Sequence, residues 1–167
     1  MKISDYAPRS GALDAHLSGV GLTGIEVGCD VGAHAEALLT YCSIKRLVVV
    51  DLWENPFCQG YCMGRLQSKG FKNFVEFVKA DSHEASKRYK AEEFDFVYID
   101  IMHDSETVSQ SLEDWWPKVK PRGMLAYRNY TMGTIRPVVD AFAERHKLRT
   151  KVESYHNEMI LYKDVPQ

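Results

Sequence analysis

The 167-residue sequence predicts an α/β fold: a doubly wound, seven-stranded sheet, mostly parallel, with a reversed strand at its C-terminal end. Three observations carry this expectation. Apolar runs alternate with segments whose apolar residues recur at helical spacing, the pattern of parallel βαβ units. The run Phe94-Asp-Phe-Val-Tyr-Ile-Asp100 is apolar on both faces, as a strand covered by helices on either side must be. Near the C-terminus, two strand-like runs, Leu148 to Tyr155 and Met159 to Tyr162, are separated only by His156-Asn157-Glu158. Three residues cannot make a right-handed crossover, so these strands form an antiparallel hairpin.

Taken in order, the segment 1–20 supplies a covering helix over residues 9–20. Strands follow near 24–28, 46–51, 74–80, 94–100 and 123–128, then 148–155 and 158–163, the last two making the terminal hairpin of 148–164. Ala35, Leu38, Leu39 and Cys42 form one helical stripe; Val108, Leu112, Trp115 and Trp116 a second; Ile135, Val138, Val139 and Phe142 a third. Neither repeats nor Ser/Pro linkers divide the chain, so Met1–Gln167 reads as one domain, long enough to bury a proper core.

Composition narrows the partners. A net charge of −2 gives no electrostatic reason to expect nucleic acid or an anionic membrane. The basic run Arg145-His-Lys-Leu-Arg-Thr-Lys151 reads as a solvated helix end entering a strand. No apolar run spans a bilayer and no signal-peptide core follows Met1, so the expected address is the cytoplasm. Of the four cysteines, only Cys58 and Cys62 share a helix face. Lacking a C-x-x-C motif or a second pair, they read as buried small hydrophobes rather than zinc ligands.

The most informative stretch is Gly24-Ile-Glu-Val-Gly-Cys-Asp-Val-Gly32. A strand runs into Glu26 and then into Gly28 and Gly32, where the missing Cβ lets backbone turn and a ligand approach. Asp51 ends the next apolar run. Strand, glycine turn, helix, strand and acidic end is how an α/β sheet holds a nucleoside. The pattern is not G-x-G-x-x-G, because Asp30 fills the middle glycine's slot. A carboxylate there suits a cationic ligand better than a pyrophosphate. Ligands of open α/β sheets sit beyond the carboxyl ends of the strands, and those ends read Gly28, Asp51, Asp81-Ser82, Asp100 and Asn129. For Asp81 or Ser82 helix N-capping is the competing role.

Glu26-x-Gly28-x-x-x-Gly32 with Asp51 resembles the cofactor site of class I S-adenosylmethionine-dependent methyltransferases, a Rossmann-like group. Asp100-Ile-Met-His103-Asp104, then Trp115-Trp116-Pro117 leading to Gly123, is similar to small bacterial O-methyltransferases, and more distantly to the catechol type. The likeness covers about residues 22–130. It implies that Glu26, Gly28 and Gly32 frame the methionine and ribose portions of S-adenosylmethionine, and that Asp51 accepts the ribose hydroxyls. Asp81 and Ser82 would meet the adenine, and Asp100 the transferred methyl. Trp53 would stack on the base or lie in the core. A reversed C-terminal strand is also what the resemblance implies.

The implied reaction is methyl transfer to a hydroxyl oxygen of a small molecule such as a sugar or hydroxylated metabolite, with His103 as candidate base. Metal-dependent relatives bind a divalent ion with the Asp of this strand end and an Asp-Asn pair after the next strand. Here that pair reads Arg128-Asn129, and a guanidinium repels a cation. Arg128 would therefore replace the ion, facing Asp100 or a substrate oxyanion. If it points away, Asp100, Asp104 and Asn129 remain for a weak ion, so metal dependence stays open. The chain carries little beyond the core, so the acceptor pocket is open, takes a large acceptor or borrows from a second subunit. Two alternatives stand beside this reading: a non-catalytic binding or assembly protein on the same fold, and an NAD-dependent oxidoreductase.

Overall fold

The computed structural model of the protein describes residues 21–101, 104–153 and 157–164. The expected covering helix at 9–20, His103 and most of the hairpin turn lie outside them. Seven strands form one sheet in the order β3-β2-β1-β4-β5-β7-β6. They are β1 (Leu22–Val27), β2 (Ile44–Asp51), β3 (Val75–Lys79), β4 (Phe94–Ile99), β5 (Val119–Arg128), β6 (Arg149–Glu153) and β7 (Glu158–Tyr162). β1 runs parallel to β2 and β4, β2 to β3, and β4 to β5. β7 is antiparallel to both β5 and β6. The expected doubly wound sheet with a reversed C-terminal strand is therefore present. The strand order reverses beside β1, where β2 lies on one side and β4 on the other, and such a switch opens a crevice at the carboxyl ends.

The helices among the described residues are α1 (Ala33–Tyr41), α2 (Pro56–Ser68), α3 (Ser82–Ser86), α4 (Ser105–Trp115) and α5 (Arg136–Arg145). Sequence explains where they start. Asn55 Oδ1 accepts the Phe57 amide at 3.0 Å, with Pro56 in the first helical position. Asp104 caps α4 by accepting the Thr107 amide at 2.9 Å and the Thr107 hydroxyl at 2.6 Å. Among the described residues no helix is long and apolar enough to cross a membrane.

Alternation along each strand feeds two cores, one per sheet face. Ile25, Val27, Val48, Val50, Val97, Ile99, Leu125 and Tyr127 pack with Leu112 and Trp115 of α4 and Val139 and Phe142 of α5. Leu47, Val49, Phe96 and Tyr98 pack with Ala35 and Leu38 of α1 and Cys62 and Leu66 of α2. Each fully buried aliphatic or aromatic side chain contributes about 1.5–3 kcal/mol against leaving it in water. The polar outer edge, β6, is almost wholly exposed, and its Arg149 and Lys151 guard it against pairing with another chain.

β5 departs from expectation. It begins at Val119 rather than near 123, because the turn Trp116–Lys118 delivers the chain directly into pairing with Phe94 of β4. Lys120 and Arg122 sit in that early part, which masks it from an apolar-run reading.

Candidate functional site

The site starts from the turn after β1. Gly28 has φ +88°, and a Cβ there would stand 1.9 Å from the Asp100 carbonyl oxygen. Only glycine lets the ends of β1 and β4 close so tightly. Gly32 also needs its freedom, for a different reason. Its φ is +74°, and an added Cβ would come 2.7 Å from Cys62 Sγ on α2. Gly28 thus belongs to the crevice and Gly32 to the packing of α2 on the glycine loop.

Asp51, at the end of β2, holds that loop. Its Oδ2 accepts the amides of Cys29 at 2.9 Å and Asp30 at 2.8 Å, and its Oδ1 accepts the amide of Trp53 at 2.7 Å. Trp53 closes the clamp: its indole N–H donates to the Asp30 carbonyl at 2.9 Å while its ring, 2% exposed, lies in the core. Of the two places open to Trp53, the structure puts it in the core. Leu52, 48% exposed, lines the crevice in its stead.

Below the loop lies a buried ionisable pair that sequence reasoning missed in part. Glu26 is 2% exposed, and its Oε1 lies 2.9 Å from His34 Nδ1 on α1. Burial pushes the Glu26 carboxyl above its ordinary range; the charge and hydrogen bond of His34 pull against this, Asp100 adds to it, and the nearby Cys29 thiol lowers it a little. Glu26 Oε2 is buried with no hydrogen-bond partner among the described residues. His34 lies just before the apolar stripe that begins at Ala35, and no sequence pattern marks its pairing with Glu26.

The crevice itself is a cavity of ≈ 210 Å³ lined by Gly28, Asp51, Leu52, Asp81, Ser82 and Asp100, among others. It shares Asp81, Ser82, Ile101 and Thr107 with a second hollow of ≈ 250 Å³ that runs toward Gln110 and Asp114. Asp81 also caps α3, accepting the His83 amide at 2.8 Å and the Glu84 amide at 3.3 Å. Ser82 Oγ accepts the Trp115 indole N–H at 2.9 Å. Capping and crevice lining coexist here: both side chains do structural work and both face the cavity.

At the ends of β4 and β5, Asp100 and Arg128 form an ion pair, Arg128 Nη1 donating to Asp100 Oδ2. Asn129 Nδ2 lies 3.4 Å from the other carboxylate oxygen. Asp104, the remaining carboxylate considered for an ion, is occupied in capping α4. Among the described residues no group of three or more His, Cys, Asp or Glu side chains could hold a metal ion. The cysteine cluster beside the loop is thiol only: Cys29 and Cys62 Sγ are 3.5 Å apart. The structure thus brings Gly28, Asp51, Asp81, Ser82 and Asp100 around one crevice, with Arg128 paired to Asp100.

A sheet of this order, with a reversed β7 and a glycine loop at the switch point, defines the class I methyltransferase fold. A family model described as a methyltransferase domain matches residues 25–130, and the chain belongs to that family. A search of curated proteins finds no match. Solved structures share the fold at low identity. A candidate caffeoyl-CoA O-methyltransferase of Staphylococcus aureus is 12% identical, with a TM-score of 0.76 over 96% of this chain and 82% of that one. An S-adenosylmethionine-dependent O-methyltransferase of Thermotoga maritima is 14% identical, with a TM-score of 0.72 over 98% and 66%. A TDP-rhamnose 3′-O-methyltransferase of calicheamicin biosynthesis is 15% identical, with a TM-score of 0.71 over 93% and 77%.

Proposed function

We propose that this methyltransferase-family chain transfers the methyl group of S-adenosylmethionine to a hydroxyl oxygen of a small-molecule acceptor, with Arg128 in the place of a divalent cation. The observation that carries this reading is the pair between Arg128 and Asp100, a residue that lines the crevice. Two further features fit the cofactor. The orphaned Glu26 Oε2 is an acceptor without a donor, and the cofactor carries an ammonium. Gly28, which lets the ends of β1 and β4 close together, lines the crevice where a sugar would lie.

When bound, S-adenosylmethionine supplies a methyl group on a sulfonium. The chain's own contribution is alignment and charge. Gly28, Leu52, Asp81 and Ser82 line the space for a nucleoside, with Asp51 fixing the loop that shapes it. Asp100 holds the guanidinium of Arg128, with Asn129 bracing the carboxylate from the other side. A guanidinium so fixed lowers the energy of an acceptor oxyanion as the hydroxyl loses its proton, and removing such a donor costs about 10²–10³-fold in rate. The proton acceptor proposed for that hydroxyl is His103.

The test is methyl transfer from labelled S-adenosylmethionine to a panel of sugars and hydroxylated aromatics, with and without a chelator. Turnover that resists chelation and falls at least about a hundredfold in Arg128→Met supports the reading. Activity that requires a specific divalent ion and is unchanged in Arg128→Met contradicts it. A second reading has support from the same pair: because Arg128 and Asp100 neutralise one another, the chain would serve as a cofactor-binding assembly protein. Cofactor binding with no turnover on any acceptor favours that alternative.

A further inference from the structure

We propose that His34 is a positioning residue for the amino-acid tail of the cofactor: its hydrogen bond to Glu26 Oε1 turns the carboxylate so that Oε2 is presented to the cofactor's ammonium. The inference rests on S-adenosylmethionine as the ligand and adds to that reading a residue which takes no part in the transfer itself.

A carboxylate with one oxygen satisfied and the other without a donor loses much of its hydration for no return. Glu26 is such a group. Its cross-strand partners, Val49 on β2 and Tyr98 on β4, are buried in the core on that face of the sheet, so the carboxylate sits among largely apolar neighbours. A carboxylate kept at this price needs a donor that arrives with a ligand, and a cation is the donor that gains most from it.

His34 decides which oxygen waits. Its Nδ1 engages Oε1 at 2.9 Å, with both side chains buried at 7% and 2% exposure. Its ring cannot swing aside. It stacks on the ring of Tyr98 at 4.0 Å between centroids, and the Tyr98 hydroxyl donates to Glu158 Oε1 at 2.5 Å, anchoring Tyr98 to β7. Glu26 and Tyr98 are direct cross-strand partners on β1 and β4. His34 itself stands at the second position of α1, immediately after the glycine loop. The carboxylate is therefore clamped between a strand neighbour and a helix start, two residues before Gly28.

Two ligands separate this role from a purely structural one. S-adenosylhomocysteine carries the amino-acid tail, whereas 5′-methylthioadenosine has the same nucleoside and thioether without it. Calorimetric titration of the full chain is expected to show that His34→Ala weakens S-adenosylhomocysteine by about tenfold, the scale of one charge-assisted hydrogen bond. Methylthioadenosine should change by less than about twofold. His34→Gln, which keeps a donor at this position, should recover part of the loss and serves if the alanine variant fails to fold. In a Glu26→Gln background, His34→Ala should cost nothing further. Equal losses for the two ligands overturn the proposal, because they mark His34 as structural. An unchanged S-adenosylhomocysteine affinity overturns it as well. If the wild-type chain binds neither ligand, the underlying methyltransferase reading fails first, and this inference with it.

Discussion

Glu26 carries the sharpest conflict between stability and ligand binding in the molecule. Its carboxyl is held above the ordinary range chiefly by burial, with Asp100 adding to the shift and His34 opposing it. A group whose folded pKa is raised favours the folded state while protonated, and that contribution is lost as pH climbs through the folded value. Replacing it with the uncharged Glu26→Gln removes this penalty. The ligand-free variant should therefore melt above the wild type at pH 8, and the gap should close as pH falls toward the ordinary carboxylate range. In a chain of this size each kcal/mol gained corresponds to ~2–4 °C. The same variant should bind S-adenosylhomocysteine more weakly, so thermal scans and titration move in opposite directions. Lower stability of Glu26→Gln at pH 8 would show that the carboxylate earns its place by packing rather than by waiting for a cation.

Among the elements, the seam between the glycine loop and α2 tolerates little change. Gly32→Ala combines a positive φ with a Cβ 2.7 Å from Cys62 Sγ, and should cost about 1–3 kcal/mol in chemical denaturation. Adding Cys62→Ala opens the steric part of the clash while leaving the backbone strain. The double variant should then be more stable than the sum of the two single losses, a coupling that a double-mutant cycle reads directly. Simple additivity would mean that Gly32 serves backbone conformation alone. Elements of this kind were legible in the sequence where local pattern and tertiary packing agree. The apolar runs located all seven strands, the helical stripes located α1, α4 and α5, and the three-residue turn announced the reversed β7. The start of β5 was not legible, since Lys120 and Arg122 are polar yet already in the sheet. Gly32 makes room for the Cys62 sulfur, and a glycine that does so looks the same in sequence as one that makes room for a sugar.

For the whole molecule, the account predicts that ligand and fold are linked. A ligand that binds only the folded chain at a hundred times its dissociation constant adds about 2.7 kcal/mol, or ~5–10 °C here. S-adenosylhomocysteine should raise the melting temperature on that scale, whereas NAD should not. The crevice was largely legible because strand ends and the switch point follow from topology: Gly28, Asp51, Asp81, Ser82 and Asp100 converge there. What sequence could not reveal is how these side chains are already employed. Asp51 accepts two amides of the loop and that of Trp53, Asp81 caps a helix, Trp53 lies in the core, and His34 reaches Glu26 only once β1 and α1 are folded together. The measurement that tests the central claim most directly is calorimetric titration of the full chain with S-adenosylmethionine, S-adenosylhomocysteine and NAD. The account predicts one-to-one binding of the first two and no heat from NAD; binding of NAD alone, or of none of the three, would contradict it.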